Sequence, residues 1–366
     1  MVQEKKTASF IDTLKGYKGK QLAVISQGSP DPDWISSAFA TQFIGKQYGV
    51  EIDIIYDEEI DRNENNALVK ILGIDLIKLS DDTDFSQYGG ICLVDSQGYD
   101  DIFSKRVKGL EVISIVDHHD KKTEGGLESK FSDIDQKTGA AATIYAGYLE
   151  KANLLKKAGE DEVNVSIALM HGILSDTGLK TEKALTANSR DYLALAYLDT
   201  IANTSVLSQI LSQPLSSAEI DALALSIRNR DTKDNYLISN VGILGTGDRG
   251  AISISADYLI QKLSAKTVLV WGVRGEKVRG SIRTTDDSIS LDKFLKEMIG
   301  SIPGSSFGTK DATNEGGFEF PLGWGKDLTK GIENEEALIE SLDKCIKPRY
   351  HSAAVVKDKT PSKIEK

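Results

Sequence analysis

The sequence predicts an α/β fold: an N-terminal domain with a parallel-sheet core flanked by helices, followed by a smaller C-terminal α/β domain. Three observations predict it. Four short Val/Ile-rich runs recur in the first third, "QLAVIS" (21–26), "IDIIYD" (52–57), "GICLVD" (90–95) and "EVISIVD" (111–117). Continuous apolar runs of that length suit strands buried on both faces. Helical patterns alternate with them, and strand–helix–strand order implies parallel pairing through right-handed crossovers. At 366 residues and 40% hydrophobic content, the chain exceeds what one compact core usually holds.

Taken in order, "DWISSAFATQFIGKQYG" (33–49) has helical spacing, and Asn63 to Gly73 reads as a second helix. Beyond the fourth strand the pattern is mostly helical: Thr138 to Leu155, Val163 to Leu174, Asn188 to Leu211 and Ser217 to Asn229. In the second domain "YLISNVGIL" and "KTVLVWGVRGEKVRGSIRTT" read as strands, with "ISADYLIQKL" a helix between them. "ISLDKFLKEMIG" is a helix with Ser290 as N-cap. A glycine-rich loop (302–325), a helix "ENEEALIESLDKCI" and a polar, frayed tail complete the chain. The expected boundaries are 1–200, a helical linker 201–232, 233–346, and a flexible tail 347–366.

Composition limits function. A net charge of −11 gives no general attraction to DNA or anionic membrane. Two cysteines exclude a disulfide framework and fit a reducing, cytoplasmic setting. No run approaches a membrane span, and the first residues lack the apolar centre of a secretory signal.

The chemistry gathers at strand ends. Asp31 and Asp33 follow the first strand, Asp95 ends the third, and Asp117, His118 and His119 end the fourth. Asp176 follows the helix 163–174. Open parallel sheets bind ligands outside the carboxyl ends of their strands. "DPD" alone would be read equally as a turn with a helix N-terminus. Paired histidines at a strand end are harder to assign to a turn, and only four histidines exist in the chain. Buried carboxylates cannot cluster uncompensated. A divalent cation resolves the conflict, and an oxygen-rich set with imidazole favours Mn²⁺ or Mg²⁺. Two ions about 3.5–4 Å apart would clamp a phosphoryl group.

"SPDPD" (29–33), "LVDS" (93–96), "VDHH" (116–119) and "LSDTG" (174–178) resemble, in order, the acidic motifs of the DHH phosphoesterase superfamily. The resemblance runs from about Lys20 to Gly325. It is nearest the compact branch of oligoribonucleases, phosphoadenosine phosphatases and exopolyphosphatase-related proteins, related to RecJ-like nucleases. It implies a C-terminal DHHA1-type domain, with the active site in the cleft between domains. It implies two divalent ions, most simply Mn²⁺: Asp31 and Asp95 at the first, and Asp33, Asp95, His118 and Asp176 at the second. His119 would contact the scissile phosphate and Asp117 would orient a histidine. Arg283, in "VRGSIRTT", would grip a substrate phosphate, and Gly308, Gly316, Gly317 and Lys310 would line the glycine-rich loop. Two departures stand out. Gln27 occupies the place of a metal-binding histidine and is a weaker ligand, and the loop lacks its histidine, with Lys310 near that position.

The implied activity is hydrolysis of a phosphomonoester or phosphodiester by a metal-bridged hydroxide. The substrate would be small: a short oligoribonucleotide, 3′,5′-bisphosphoadenosine or a similar nucleotide. The alternatives are an exopolyphosphatase- or pyrophosphatase-like activity, and a degenerate relative that binds a phosphorylated ligand as a regulator. Short single-stranded nucleic acid is a further expected partner, a membrane is not, and family habit implies a homodimer.

Overall fold

The computed structural model describes residues 2–26, 29–60, 62–99, 101–121, 127–156, 159–179, 186–245, 250–310, 314–323 and 335–355. Two compact units divide between Pro214 and Leu215.

The first unit runs α1 (Val2–Lys15), β1 (Gln21–Ile25), α2 (Pro32–Gln47), β2 (Glu51–Tyr56), α3 (Asn63–Leu72), β3 (Leu76–Lys78), β4 (Tyr88–Val94), α4 (Asp101–Arg106), β5 (Val112–Asp117), β6 (Phe131–Ile134), α5 (Ala141–Lys151), α6 (Glu160–Asp176), α7 (Ser189–Asp199) and α8 (Thr204–Leu211). Its strands are all parallel, in the order β3-β2-β1-β4-β5-β6. The order therefore reverses between β1 and β4, and such a switch point leaves a crevice at the strands' carboxyl ends. Alternate residues feed opposite cores. Leu22 and Val24 of β1 join one, with Cys92 and Val94 of β4. Ala23 and Ile25 join the other, with Ile91 and Leu93. This period of two explains why the strands read as unbroken apolar runs.

The second unit contains α9 (Ser217–Arg228), β7 (Asp231–Lys233), β8 (Tyr236–Leu244), α10 (Ala251–Lys262), β9 (Thr267–Arg274), β10 (Lys277–Thr284), α11 (Leu291–Ile299), β11 (Ser306–Lys310), β12 (Glu315–Pro321) and α12 (Glu335–Val355). Its sheet has the order β11-β12-β10-β9-β8-β7. Only β8 and β9 run parallel; the other pairs are antiparallel. Ser290 caps α11, accepting from the Lys293 amide.

Several expectations are corrected. The span read as a glycine-rich loop is a hairpin, with Gly308 opposite Gly317 and Thr309 opposite Gly316. The stretch 188–211 is two helices, each begun by an asparagine cap, Asn188 and Asn203. Asp176 belongs to the last turn of α6 rather than following the helix. The final helix continues past Lys347 to Val355, because Tyr350 is fully buried and its hydroxyl donates to the Thr267 carbonyl. The structure adds α1, β3, α4, β6 and β7, which the sequence pattern does not mark. Among the described residues no helix is long and apolar enough to cross a membrane.

One glycine lets the central helices approach. A Cβ on Gly172 of α6 would stand 2.3 Å from Ser36 Oγ and 3.2 Å from the Cα of Asp33, both on α2. Gly308 has nothing within 4 Å of that position. We expect Gly172→Ala to destabilise by about 1–3 kcal/mol through overpacking, and Gly308→Ala to stay near neutral. Chemical denaturation of both variants checks the contrast.

Candidate metal centre

The switch point places the site. Asp31 stands at the N-cap of α2, accepting a bond from the Trp34 amide. Two residues on, Asp33 is wholly buried. Its carboxylate turns away from its own helix and accepts from the amides of Ala141 (2.7 Å) and Ala142 (2.8 Å) at the start of α5. A helix start has unpaired N–H groups and partial positive charge, so it suits a carboxylate. This bond joins the β1 crossover to α5.

Asp95 follows β4 directly. Its backbone has φ 51, left-handed, a conformation that Asp tolerates better than most residues. Its amide remains tied to β5, donating to the Val116 carbonyl at 2.9 Å. The kink turns the Asp95 side chain toward the end of β5.

There the histidines meet the carboxylates. His118 Nε2 lies 3.0 Å from Asp176 Oδ2, 3.3 Å from Asp95 Oδ1 and 3.8 Å from Asp33 Oδ2. Yet His118 Nε2 and Asp95 Oδ1 are both buried and make no hydrogen bond of acceptable geometry among the described residues. Ligand atoms that converge on one point, without directing hydrogen bonds at each other, are what a metal centre leaves. Among the described residues, two groups present ligand atoms close enough to share an ion: Asp33, His118 and Asp176, and Asp95, His118 and His119. The residues fit a divalent cation on that observation. Oxygen donors with imidazole are the chemistry of Mn²⁺ and Mg²⁺ sites.

Electrostatics agree. Burial, then the charges of Asp95 and Asp176, hold the Asp33 carboxyl well above the usual range. Burial also raises Asp95, partly offset by His118. Burial alone would lower His118, but Asp176 and Asp95 outweigh it and lift it to about 12. The surrounding carboxylates thus favour the protonated form of His118.

Asp117 is a bracket. Its Oδ1 accepts from the amides of His118 (2.8 Å) and His119 (3.2 Å) and contacts His119 Nδ1 at 2.8 Å. Although burial opposes it, the His119 and Gln97 bonds keep its carboxyl below the ordinary value. His119 is 37% exposed, so its ring is pinned by one nitrogen and open on the other side.

The structure thus gathers Asp33, Asp95, Asp117, His118, His119 and Asp176 in one place, with Asp31 close enough to raise Asp33 and Asp95. Gln27 and the side chain of Lys310 lie outside the described residues. Arg283, on β10 in the second unit, is buried and committed. Its Nε donates to Asp257 (2.7 Å), and one terminal nitrogen donates to Ser281 Oγ and the Ile282 carbonyl. Glycine is sterically required at 316, where a Cβ would meet Ile282 at 2.9 Å, but not at 308. Ser96 serves its own turn, exchanging bonds with the Gly98 backbone, and Thr177 bonds the Ile173 carbonyl of its own helix. Sequence reasoning missed Gln97, which bonds Asp117, and Asp257. Neither carries a local signal; both are defined by partners at least twenty residues away. His171 is fully buried within α6, as a packed helix histidine.

No family model matches the chain. It is 27% identical over 361 residues to an uncharacterized protein of Methanocaldococcus jannaschii, covering 98% of this chain and 69% of that protein. Among solved structures, an exopolyphosphatase-related protein from Bacteroides fragilis superposes with a TM-score of 0.69 at 13% identity, covering 95% of this chain and 98% of that one. An exonuclease RecJ bound to manganese superposes with a TM-score of 0.50 at 13% identity, covering 96% and 95%. The likeness is one of fold.

Two carboxylates of the cluster should respond differently to substitution in the metal-free protein. Asp33→Ala strands two buried amides and should destabilise by about 2–4 kcal/mol. Asp95→Asn keeps a residue at ease in the left-handed region and should stay within about 1 kcal/mol of the parent. Urea unfolding in a chelating buffer measures both.

Proposed function

We propose that the chain is a divalent-metal-dependent phosphoesterase acting on a small phosphorylated substrate, such as a short oligoribonucleotide or a nucleotide bisphosphate. The observation that carries it is the convergence of Asp33, Asp95 and Asp176 on the Nε2 of His118 at the sheet's switch point. Asp33, Asp95, His118 and Asp176 would hold one ion, and Asp31 and Asp95 would contribute to a second. Mn²⁺ is the preferred ion, given the manganese-bound neighbour of the same fold. Bound there, such ions supply positive charge for a phosphoryl group and acidify a water at neutral pH.

The protein's own groups do the rest. Asp117 fixes the His119 ring by its Nδ1, which leaves the outer nitrogen to meet a phosphate oxygen. A donor aimed in advance at developing charge stabilises the transition state without reorganising. Arg283, engaged through Nε and one terminal nitrogen by Asp257, Ser281 and Ile282, would grip a substrate anion through its other terminal nitrogen. With Nε and one terminal nitrogen engaged, the guanidinium plane is set before any ligand arrives. The chain's charge of −11 supports a small substrate over long duplex DNA.

Two outcomes are expected. Phosphate or mononucleotide release, from a panel of short RNA, 3′,5′-bisphosphoadenosine, cyclic dinucleotides and polyphosphate, should vanish with chelator and return with Mn²⁺. Asp95→Asn should lose at least about 100-fold of that rate, as loss of a metal ligand does. A parent that turns over nothing, or an Asp95→Asn variant as fast as the parent, defeats the proposal. Separately, Arg283→Lys, which cannot reproduce the fork, should raise KM by about tenfold, roughly the 1.4 kcal/mol of one charge-assisted bond, with kcat affected less. Steady-state kinetics on the best substrate checks it.

A further inference from the structure

We propose that Gln97 is a positioning residue for the paired histidines, acting through Asp117. The inference rests on the metal-centre reading above and deepens it.

Gln97 lies in the turn after β4, two residues beyond Asp95. The left-handed Asp95 reverses the chain, and the Ser96 hydroxyl closes the turn by donating to the Gly98 carbonyl (2.8 Å) and accepting from its amide (3.3 Å). The Gln97 side chain is consequently buried, only 5% exposed, and is sent across to the end of β5. Its Nε2 donates to Asp117 Oδ2 at 2.7 Å and to the Asp120 carbonyl at 3.0 Å. The His119 carbonyl also faces it at 3.5 Å. Three acceptors surround that nitrogen, so the amide orientation follows from the network.

The two strong bonds straddle the histidines. One acceptor is the side chain just before His118, and the other is the backbone just after His119. A single –NH₂ group therefore clips both ends of the segment that bears both imidazoles. Asp117 shows what the clip protects. Its Oδ1 already serves the two histidine amides and His119 Nδ1. Among the described residues Oδ2 is met by Gln97, and that bond adds to the three on Oδ1 in opposing rotation of the carboxylate about its last torsion. The backbone does not need Gln97 for its fold. β5 continues to pair with β6, with Asp117 in register with Ile134 and its carbonyl accepting from the Asp135 amide. Partners of metal-bound groups that are removed by one bond typically change metal affinity or activity by about 10–100-fold.

The test uses Gln97→Met, which keeps the volume and loses both donors. Calorimetric titration with Mn²⁺ should show affinity weakened by about 10–100-fold. kcat should fall in parallel while KM moves less than about threefold, because the ground-state contacts of the substrate are untouched. The thermal midpoint should stay within a few degrees of the parent. Should Gln97→Met fail to fold, Gln97→Ala leaves room for a bridging water and should show the same loss at smaller size. The pairing is tested in an Asp117→Asn background. There the Asn oxygen must face the three histidine donors, so its –NH₂ faces Gln97 and the bond is already lost. Adding Gln97→Met should then change Mn²⁺ affinity by less than about twofold, the signature of two residues acting as one unit. Parent-like Mn²⁺ affinity in Gln97→Met, or an undiminished effect in the Asp117→Asn background, overturns the inference while leaving the metal centre standing. A parent that binds no Mn²⁺ overturns the metal centre and this inference together.

Discussion

Like charges brought together away from water repel, and the first unit is organised around holding several of them in place. Asp33, Asp95 and Asp176 approach one imidazole nitrogen within 3.0–3.8 Å, and two of the three are forced up from their ordinary pKa by burial, Asp33 also by Asp95 and Asp176, and Asp95 by Asp31. Left to relax, such side chains would rotate apart into solvent. What prevents it is backbone: the amides of α5 on Asp33, the left-handed kink at Asp95, and the last turn of α6 under Asp176. They come from separate parts of the chain, the kink from the β4–β5 connection and α5 and α6 from beyond β6, so the site exists only when these parts are assembled on the sheet. Gly172 fits the same logic, since the close approach of α6 to α2 brings Asp176 and Asp33 to one point.

The parts of this that were legible in the sequence are those with a local signature. β1, β2, β4 and β5 were readable because strands buried on both faces are unbroken runs of Val and Ile. Asp31, Asp33, Asp95, His118, His119 and Asp176 were readable because their types are costly to bury and fell at strand or helix ends. β3 and β6 were not, being three and four residues long with polar members. The β11–β12 hairpin was hidden by its glycines, which signal a turn in sequence but here meet across an antiparallel pair. The polar, Lys-rich composition beyond Lys347 reads as a tail, and the burial of Tyr350 and Ala353 carries the last helix on through Pro348. Gln97 and Asp257 act on residues far along the chain, and no spacing rule on a single sequence exposes such pairs.

The choice of partners within the molecule separates structural carboxylates from chemical ones. Buried Asp133 is met by Lys6 and by the Tyr148 hydroxyl. Asp135 is met by Arg190, and Asp257 by Arg283. Each of these has its charge balanced by a cation of the chain, as burial ordinarily demands. Asp33 and Asp117 are held by neutral donors instead: two backbone amides for the first, and two amides, an imidazole and a carboxamide for the second. Neutral donors fix the direction of a carboxylate without cancelling its charge. The imidazoles of His118 and His119 lie among these carboxylates, which favour their protonated forms, and an ion bound there would displace such protons. A chain that needed these aspartates for stability alone had lysine and arginine available and used them elsewhere. Orientation without neutralisation leaves the negative charge of the site for an ion that arrives from outside, and that difference, more than the number of acidic groups, marks the end of the parallel sheet as the candidate metal centre.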